Sequence, residues 1–359
     1  SAFLDRTEER ALPASPVAEA CRPEHPMTMR AVDLAKEWLL PSSTMKRRVW
    51  PPAIGLCYIA AVALLGGVRS DHVLVGLLGF LDLYNEKSRL FLRQFLPFML
   101  TGAIYDSMRY FYWPGIAGRV HVAGPYLLER SWFGISGKTP NEWFAEHHWP
   151  ALDLACGFAY LTYVGEYLAL AFFLFFRRRE GMVRTLALAF LVVNVLGFIT
   201  YFVYPVAPPW YVAQYGLGPA RVDIHPDAAA ATRFDQLLGT HFFDEMYGRG
   251  VDVYGAFPSL HVAYPLIAIS ASFREPLLRW ARIPAVVFFL LMCLSAVYLQ
   301  HHYVLDVLLG IAYAIATLAL LRLPAFALHR NAARASSAQP LASGSWRKGS
   351  DVASRSASE

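Results

Sequence analysis

The chain has 359 residues, 56% of them hydrophobic and 16% charged, with a mean hydropathy of +0.36. A soluble domain carries roughly 45–50% apolar and about 25% charged residues, so the composition excludes an ordinary soluble globule and indicates a polytopic membrane protein. The net charge of +5 does not indicate a nucleic-acid binder, because the basic residues sit at the ends of apolar runs rather than in a patch interleaved with stacking aromatics.

The four cysteines show no metal-binding spacing. Three of them, Cys57, Cys156 and Cys293, lie inside apolar runs, where cysteine is a small buried hydrophobe. Residues 1–45 are polar, proline-dotted and without the apolar core of a signal peptide; they are expected to form a cytoplasmic tail. Lys46-Arg47-Arg48 precedes a first apolar run, Pro51 to Val68, and a second follows from His72 to Tyr84. Both are shorter than the ~20 residues of a spanning helix, which predicts a short helical hairpin or a partly re-entrant pair. A third run, Leu90 to Trp113, contains Asp106 and Arg109.

A polar loop reaches His148, and a fourth run from Trp149 to Phe176 ends at Arg177-Arg178-Arg179. The fifth, Met182 to Tyr204, stops at Pro205-Val206-Ala207-Pro208-Pro209-Trp210-Tyr211, where proline ends the helix. A long hydrophilic loop to Val253 follows. Three more runs cover Ser259 to Phe273, Ile283 to Leu299 and His302 to Leu323, and residues 324–359 form a Ser, Ala and Arg-rich tail expected to be disordered and cytoplasmic. The transmembrane domain is thus read as residues 46–323, an all-α bundle of six core helices with two additional short N-terminal helices. Lysine and arginine concentrate in alternate loops, which the positive-inside rule assigns to the cytoplasm. Both termini then lie inside, and His261 and His302 face the exterior.

Those two histidines are separated by two crossings, so the chain leaves and re-enters one face of the membrane between them. Ionisable groups at such depth indicate function. Pro258-Ser259 reads as a helix start whose amides favour an anion. His302 and Asp306 are four residues apart on one helical face, where the carboxylate can hold one ring nitrogen and free the other. Two histidines, one backed by an aspartate, suit phosphoryl transfer in which one imidazole attacks phosphorus and the other protonates the leaving alcohol. That chemistry requires neither metal nor cofactor. Asp106 and Arg109 read either as an intramembrane ion pair or as substrate contacts. Trp210 and Tyr211 read as interfacial anchors or as a wall of the head-group pocket, and Arg249, Lys138 and Arg109 as possible sources of positive charge. Ser259 and Tyr303, adjoining the histidines, complete the candidate substrate-binding set. Glu166 and Asn194 are expected to pair helices.

Pro258-Ser259-Leu260-His261 is similar to the PSGH motif of the type 2 phosphatidic acid phosphatase superfamily, and Ser295 through His302 to Asp306 resembles its SRxxxxxHxxxD motif in spacing. Leu260 replaces the glycine, Ala296 the arginine, and the upstream KxxxxxxRP motif is missing. With Tyr298-Leu299-Gln300-His301-His302-Tyr303 and the Ala207-Pro208-Pro209-Trp210-Tyr211 stretch, the pattern resembles the inositol phosphorylceramide synthase family. The resemblance implies His302 as nucleophile through a phospho-histidine, Asp306 as its orienting group and His261 as acid and then base. It implies a phospholipid donor, phosphatidylinositol, and a lipid alcohol acceptor such as ceramide. An outward-facing lipid phosphatase, acting on phosphatidic acid or a polyprenyl phosphate, is the alternative that uses the same three residues.

Overall fold

The structure is a computed structural model that describes residues 44–322, apart from residues 111, 117, 222, 223, 249 and 251. The expectations for both terminal tails and for Arg249 therefore fall outside the described residues. Helices dominate, accompanied by isolated β-bridges only.

The chain divides into two compact units. The smaller comprises the first helices, α1 (Thr44–Leu65) and α2 (Ser70–Leu78), followed by a single turn at Leu81–Tyr84. They form the expected hairpin, with the His72 ring set edge-on to Tyr58 at 6.0 Å. Helix α1 runs to 22 residues because it continues through the basic cluster and the Pro51-Pro52 pair.

The larger unit holds the expected six core helices. These are α3 (Glu86–Ser107), α6 (Pro150–Phe176), α7 (Glu180–Val203), α11 (Leu260–Arg274), α12 (Arg282–Tyr298) and α13 (Val304–Leu320). Between α3 and α6 lie two surface helices, α4 (Ala123–Phe133) and α5 (Pro140–Glu146). The long loop contributes α8 (Pro209–Tyr215), α9 (Thr232–Leu238) and α10 (Phe242–Tyr247). Among the described residues three helical stretches are long and apolar enough to cross a membrane, Pro150–Phe176, Glu180–Val203 and Pro276–Tyr298. The third run is divided: α3 stops at Ser107 and a separate turn covers Tyr112–Ile116.

One half of the bundle is packed with aromatic rings. Phe91, Phe95 and Phe98 on α3 meet Phe172 and Phe175 on α6 and Phe190 on α7, with Phe95 stacked on Phe172 at 4.6 Å. One polar pair inside this core joins two helices, satisfying groups that are costly to bury unpaired. Tyr264 on α11 donates to Asn194 Oδ1 on α7 at 2.6 Å, and Asn194 in turn donates to the Phe190 carbonyl. Asn194 thus joins α7 to α11, whereas Glu166 leaves one carboxylate oxygen buried without a partner. At the basic end, Arg282 donates to the Ser272 and Phe273 carbonyls. A cation there satisfies the last carbonyls of α11 and complements its dipole.

At the opposite end the loops are tied together by main chain. The Pro205–Ala207 strap bonds on one side to His121 and on the other to Tyr254, through His121 N–H to Pro205 O, Ala207 N–H to His121 O and Val206 N–H to Tyr254 O. This fixes the segment leading into Pro258 and so sets where α11 begins.

Candidate active site

His261 sits in the first turn of α11, and His302 in the reversal between α12 and α13. That reversal is made by Gln300, which takes a left-handed conformation with φ +67°, and by the His302 amide, which returns to the Ala296 carbonyl at 3.0 Å. This capping pattern ends α12 and swings the next two side chains back over the bundle. His302 Nε2 lies 2.9 Å from His261 Nδ1, so the expected meeting of the two imidazoles is realised across 41 residues of chain.

Protons on this pair can be assigned from the acceptors. His302 Nδ1 is 2.8 Å from the Ala256 carbonyl. A carbonyl only accepts, so Nδ1 carries the hydrogen and Nε2 the lone pair. His261 Nδ1 then donates to that lone pair. The tautomer is therefore the one a nucleophilic Nε2 requires. Asp306, expected to hold the ring, is one step further out: its Oδ2 is 3.6 Å from His302 Nδ1, too long for a direct hydrogen bond. Its carboxylate instead accepts the Tyr303 amide at 2.7 Å and caps α13. Buried at 1% exposure, it places a negative charge beside the face of His302 that becomes positive when Nε2 forms a bond.

The turn carrying His302 is anchored by Trp210 and by residues that the sequence did not single out, Glu129 and Asn141 first among them. Glu129 on α4 is fully buried and accepts the Val304 and Leu305 amides at 2.8 and 3.2 Å. Burial raises its pKa, and these two amides oppose that rise. Asn141 on α5 donates to the His302 carbonyl at 2.9 Å and to the Val297 carbonyl at 2.8 Å. Trp210 N–H reaches the Gln300 carbonyl at 3.1 Å. Tyr160 stacks on His261 at 4.3 Å and on His301 at 5.0 Å, and Tyr247 also stacks on His301 at 4.6 Å. Gly310 of α13 lies so close to Ser259 that a Cβ there would stand 2.2 Å from the Ser259 carbonyl oxygen. Only glycine lets α13 approach the start of α11 and bring Asp306 under His302.

Both histidines line a cavity of about 450 Å³. One end is polar, with His261, His301, His302, Asp252 and tyrosines. The other runs between α3, α6 and α7 along Phe98, Leu168 and Phe190. Among the described residues that line it there is no lysine or arginine. Of the expected substrate contacts, Trp210 lines this cavity. Tyr211 does not: it is buried behind it, its hydroxyl accepting the Arg221 amide at 2.9 Å. Tyr303 faces a separate small cavity with Pro209 and Gln300. Ser259 is fully buried, and its amide, expected to face an anion, donates to the Asp306 carbonyl at 3.0 Å. Asp106 and Arg109 pair with each other and lie off the cavity lining; Lys138 pairs with Glu146 at the surface.

The chain is similar to known proteins. Residues 126–320, which contain both histidines and Asp306, match the PAP2 superfamily. The chain is 37% identical over 261 residues to the phosphoinositol dihydroceramide synthase of Bacteroides thetaiotaomicron, a match covering 69% of this chain and 83% of that protein. It is 31% identical over 147 residues to the inositol phosphorylceramide synthase catalytic subunit of Schizosaccharomyces pombe, and 35% identical over 118 residues to that of Saccharomyces cerevisiae. These cover 41% and 33% of this chain but only 34% and 29% of the yeast proteins. No solved structure matches. The helical fold and these relatives define a membrane lipid phosphotransferase. Within the PAP2 superfamily, the chain belongs to the inositol phosphorylceramide synthase family.

Proposed function

We propose that the enzyme transfers phosphoinositol from phosphatidylinositol to the primary hydroxyl of a ceramide or similar long-chain alcohol, releasing diacylglycerol. The observation that carries this reading is the charge of the cavity: two facing imidazoles and several tyrosine hydroxyls, with no lysine or arginine among the described lining residues. A phosphomonoester brings about two negative charges at neutral pH and calls for cationic groups. A phosphodiester brings one, which an imidazolium and neutral donors can match. The apolar end of the cavity suits the acyl chains of the donor.

In the first step the His302 Nε2 lone pair attacks phosphorus. The bond from phosphorus to the diacylglycerol oxygen breaks, and a protonated His261 gives that oxygen its proton. His302 keeps its Nδ1 hydrogen on the Ala256 carbonyl, and the positive charge of the phospho-imidazolium faces Asp306. In the second step neutral His261 takes the proton of the acceptor hydroxyl, whose oxygen attacks phosphorus and displaces Nε2. Both histidines return to their starting states. The basic ends of the helices support a site on the non-cytoplasmic face, with the termini inside.

The test is a reconstituted assay with phosphatidylinositol and a fluorescent ceramide, read by mass spectrometry of the lipid products. An inositol-phosphate-bearing ceramide is expected. Unchanged ceramide together with phosphate release from phosphatidic acid would overturn the reading.

A further inference from the structure

The reaction above gives no task to Asp252, an ionisable group of the cavity. Asp252 lines the cavity between α10 and α11 and accepts a hydrogen bond from Tyr105 Oη on α3 at 3.0 Å. Its Oδ2 sits directly over Gly255, where an added Cβ would stand 1.9 Å from it, so a side chain at position 255 would displace the carboxylate. Burial raises its pKa, against the opposing influence of the Tyr105 hydrogen bond and of nearby His302. A carboxylate beside an imidazole pair that handles a phosphodiester repels the substrate's own charge. Such a group is retained where it has hydrogen-bond donors to bind.

A second polar side chain lines the same cavity. His301 lines the cavity, is 5% exposed, and has a buried Nε2 with no hydrogen-bond partner. Its ring stacks on Tyr247, at 1° interplanar angle, and on Tyr160, at 19°, which fixes the line along which Nε2 can bond. A buried carboxylate accepts hydroxyl protons, a ring nitrogen donates to or accepts from a hydroxyl, and flanking tyrosine rings cover the C–H face of a saturated ring. A quaternary ammonium head group would also suit the carboxylate and the rings, yet it offers nothing to the His301 nitrogen.

We infer that Asp252 and His301 form the subsite that binds the hydroxyls of a cyclitol head group, and that this subsite selects the donor lipid. The inference rests on the phosphoinositol reading above and specifies how that head group is held.

Purified full-length protein is assayed with phosphatidylinositol, phosphatidylglycerol and phosphatidylcholine as donors to fluorescent ceramide. Binding of glycerophosphoinositol and glycerophosphocholine is measured in parallel by thermal shift, which needs no turnover. For Asp252→Asn, kcat/KM with phosphatidylinositol and affinity for glycerophosphoinositol are expected to fall roughly 10- to 100-fold, the range for a lost charged hydrogen bond, while the other donors and glycerophosphocholine change little. Tyr105→Phe, which releases the carboxylate without removing it, is expected to lower the same two quantities by a few-fold. It carries the test alone if Asp252→Asn fails to fold. An equal loss on every donor, or an unchanged preference for inositol in a folded variant, overturns the subsite. Wild-type enzyme that ignores phosphatidylinositol but uses another donor overturns the phosphoinositol reading itself, a result visible before any variant is made.

Discussion

Two pairs of ionisable side chains in this protein stand one helical turn apart, at three and at four residues, but differ in everything around them. Asp106 and Arg109 stand three residues apart at the end of α3, and Arg109 gives both its Nε and a terminal nitrogen to Asp106. His302 and Asp306 stand four apart at the start of α13, and their contacts reach far along the chain. Ala256 is 46 residues from His302, His261 41 and Asn141 161, and the turn between His302 and Asp306 is held at Val304 by Glu129, 175 residues away. The first pair satisfies itself locally. The second is held so that one nitrogen stays unprotonated and faces a cavity. Spacing on a helix marks a pair that can interact; what distant elements do to it decides whether it can react.

The sharpest way to break the comparison is His302→Ala. It is expected to lower kcat by at least about a thousandfold and to abolish any acid-labile phospho-protein seen by mass spectrometry after rapid quenching at neutral or alkaline pH. Retained turnover would remove the covalent route. Asp306→Asn is expected to cost less, roughly 10- to 100-fold in kcat, because asparagine still accepts the Tyr303 amide and the Ala256 carbonyl still holds the Nδ1 hydrogen. A loss as large as that of His302→Ala would mean that the carboxylate, not the carbonyl, fixes the ring.

Glu129→Gln tests the anchoring from outside the cavity. One of two accepting oxygens becomes a donor facing an amide, so melting should show a loss of about 1–3 kcal/mol of stability. If the turn positions His302, kcat should fall about tenfold with KM nearly unchanged; a change in KM alone would assign Glu129 to binding. Smallest of all, Arg109→Gln should alter activity less than about threefold and stability by under about 1 kcal/mol, as for a partly exposed ion pair. A large effect on donor KM would restore Arg109 to the substrate-binding set.

The same contrast explains how much was legible in the sequence. His261, His302 and Asp306 were readable because a helix start, an i to i+4 spacing and two apolar crossings are all local patterns that a linear text carries. The six core helices were readable for the same reason. Glu129, Asn141 and Ala256 were not. The first two act on backbone groups more than 150 residues away, and Ala256 acts through a carbonyl that every residue possesses. Asp252 was one of several acids in the long loop, with nothing in its neighbours to separate it from Asp244 or Glu245. Tyr211 and Tyr303 were expected at the substrate by sequence, yet the structure turns them towards the Arg221 amide and the small second cavity. Adjacency in the chain does not give direction of the side chain.

The carbonyl of Ala256 has an evolutionary corollary. An orienting carboxylate can be lost in a single codon, whereas a main-chain oxygen survives every side-chain replacement at its position. The protonation state of the nucleophile is therefore written into the path of the backbone between Tyr254 and Pro258. A replacement of the side chain at residue 256 leaves the Nδ1 hydrogen of His302, the proposed nucleophile, where it is. What the site cannot tolerate is an insertion or deletion in that short segment, which would move the oxygen itself.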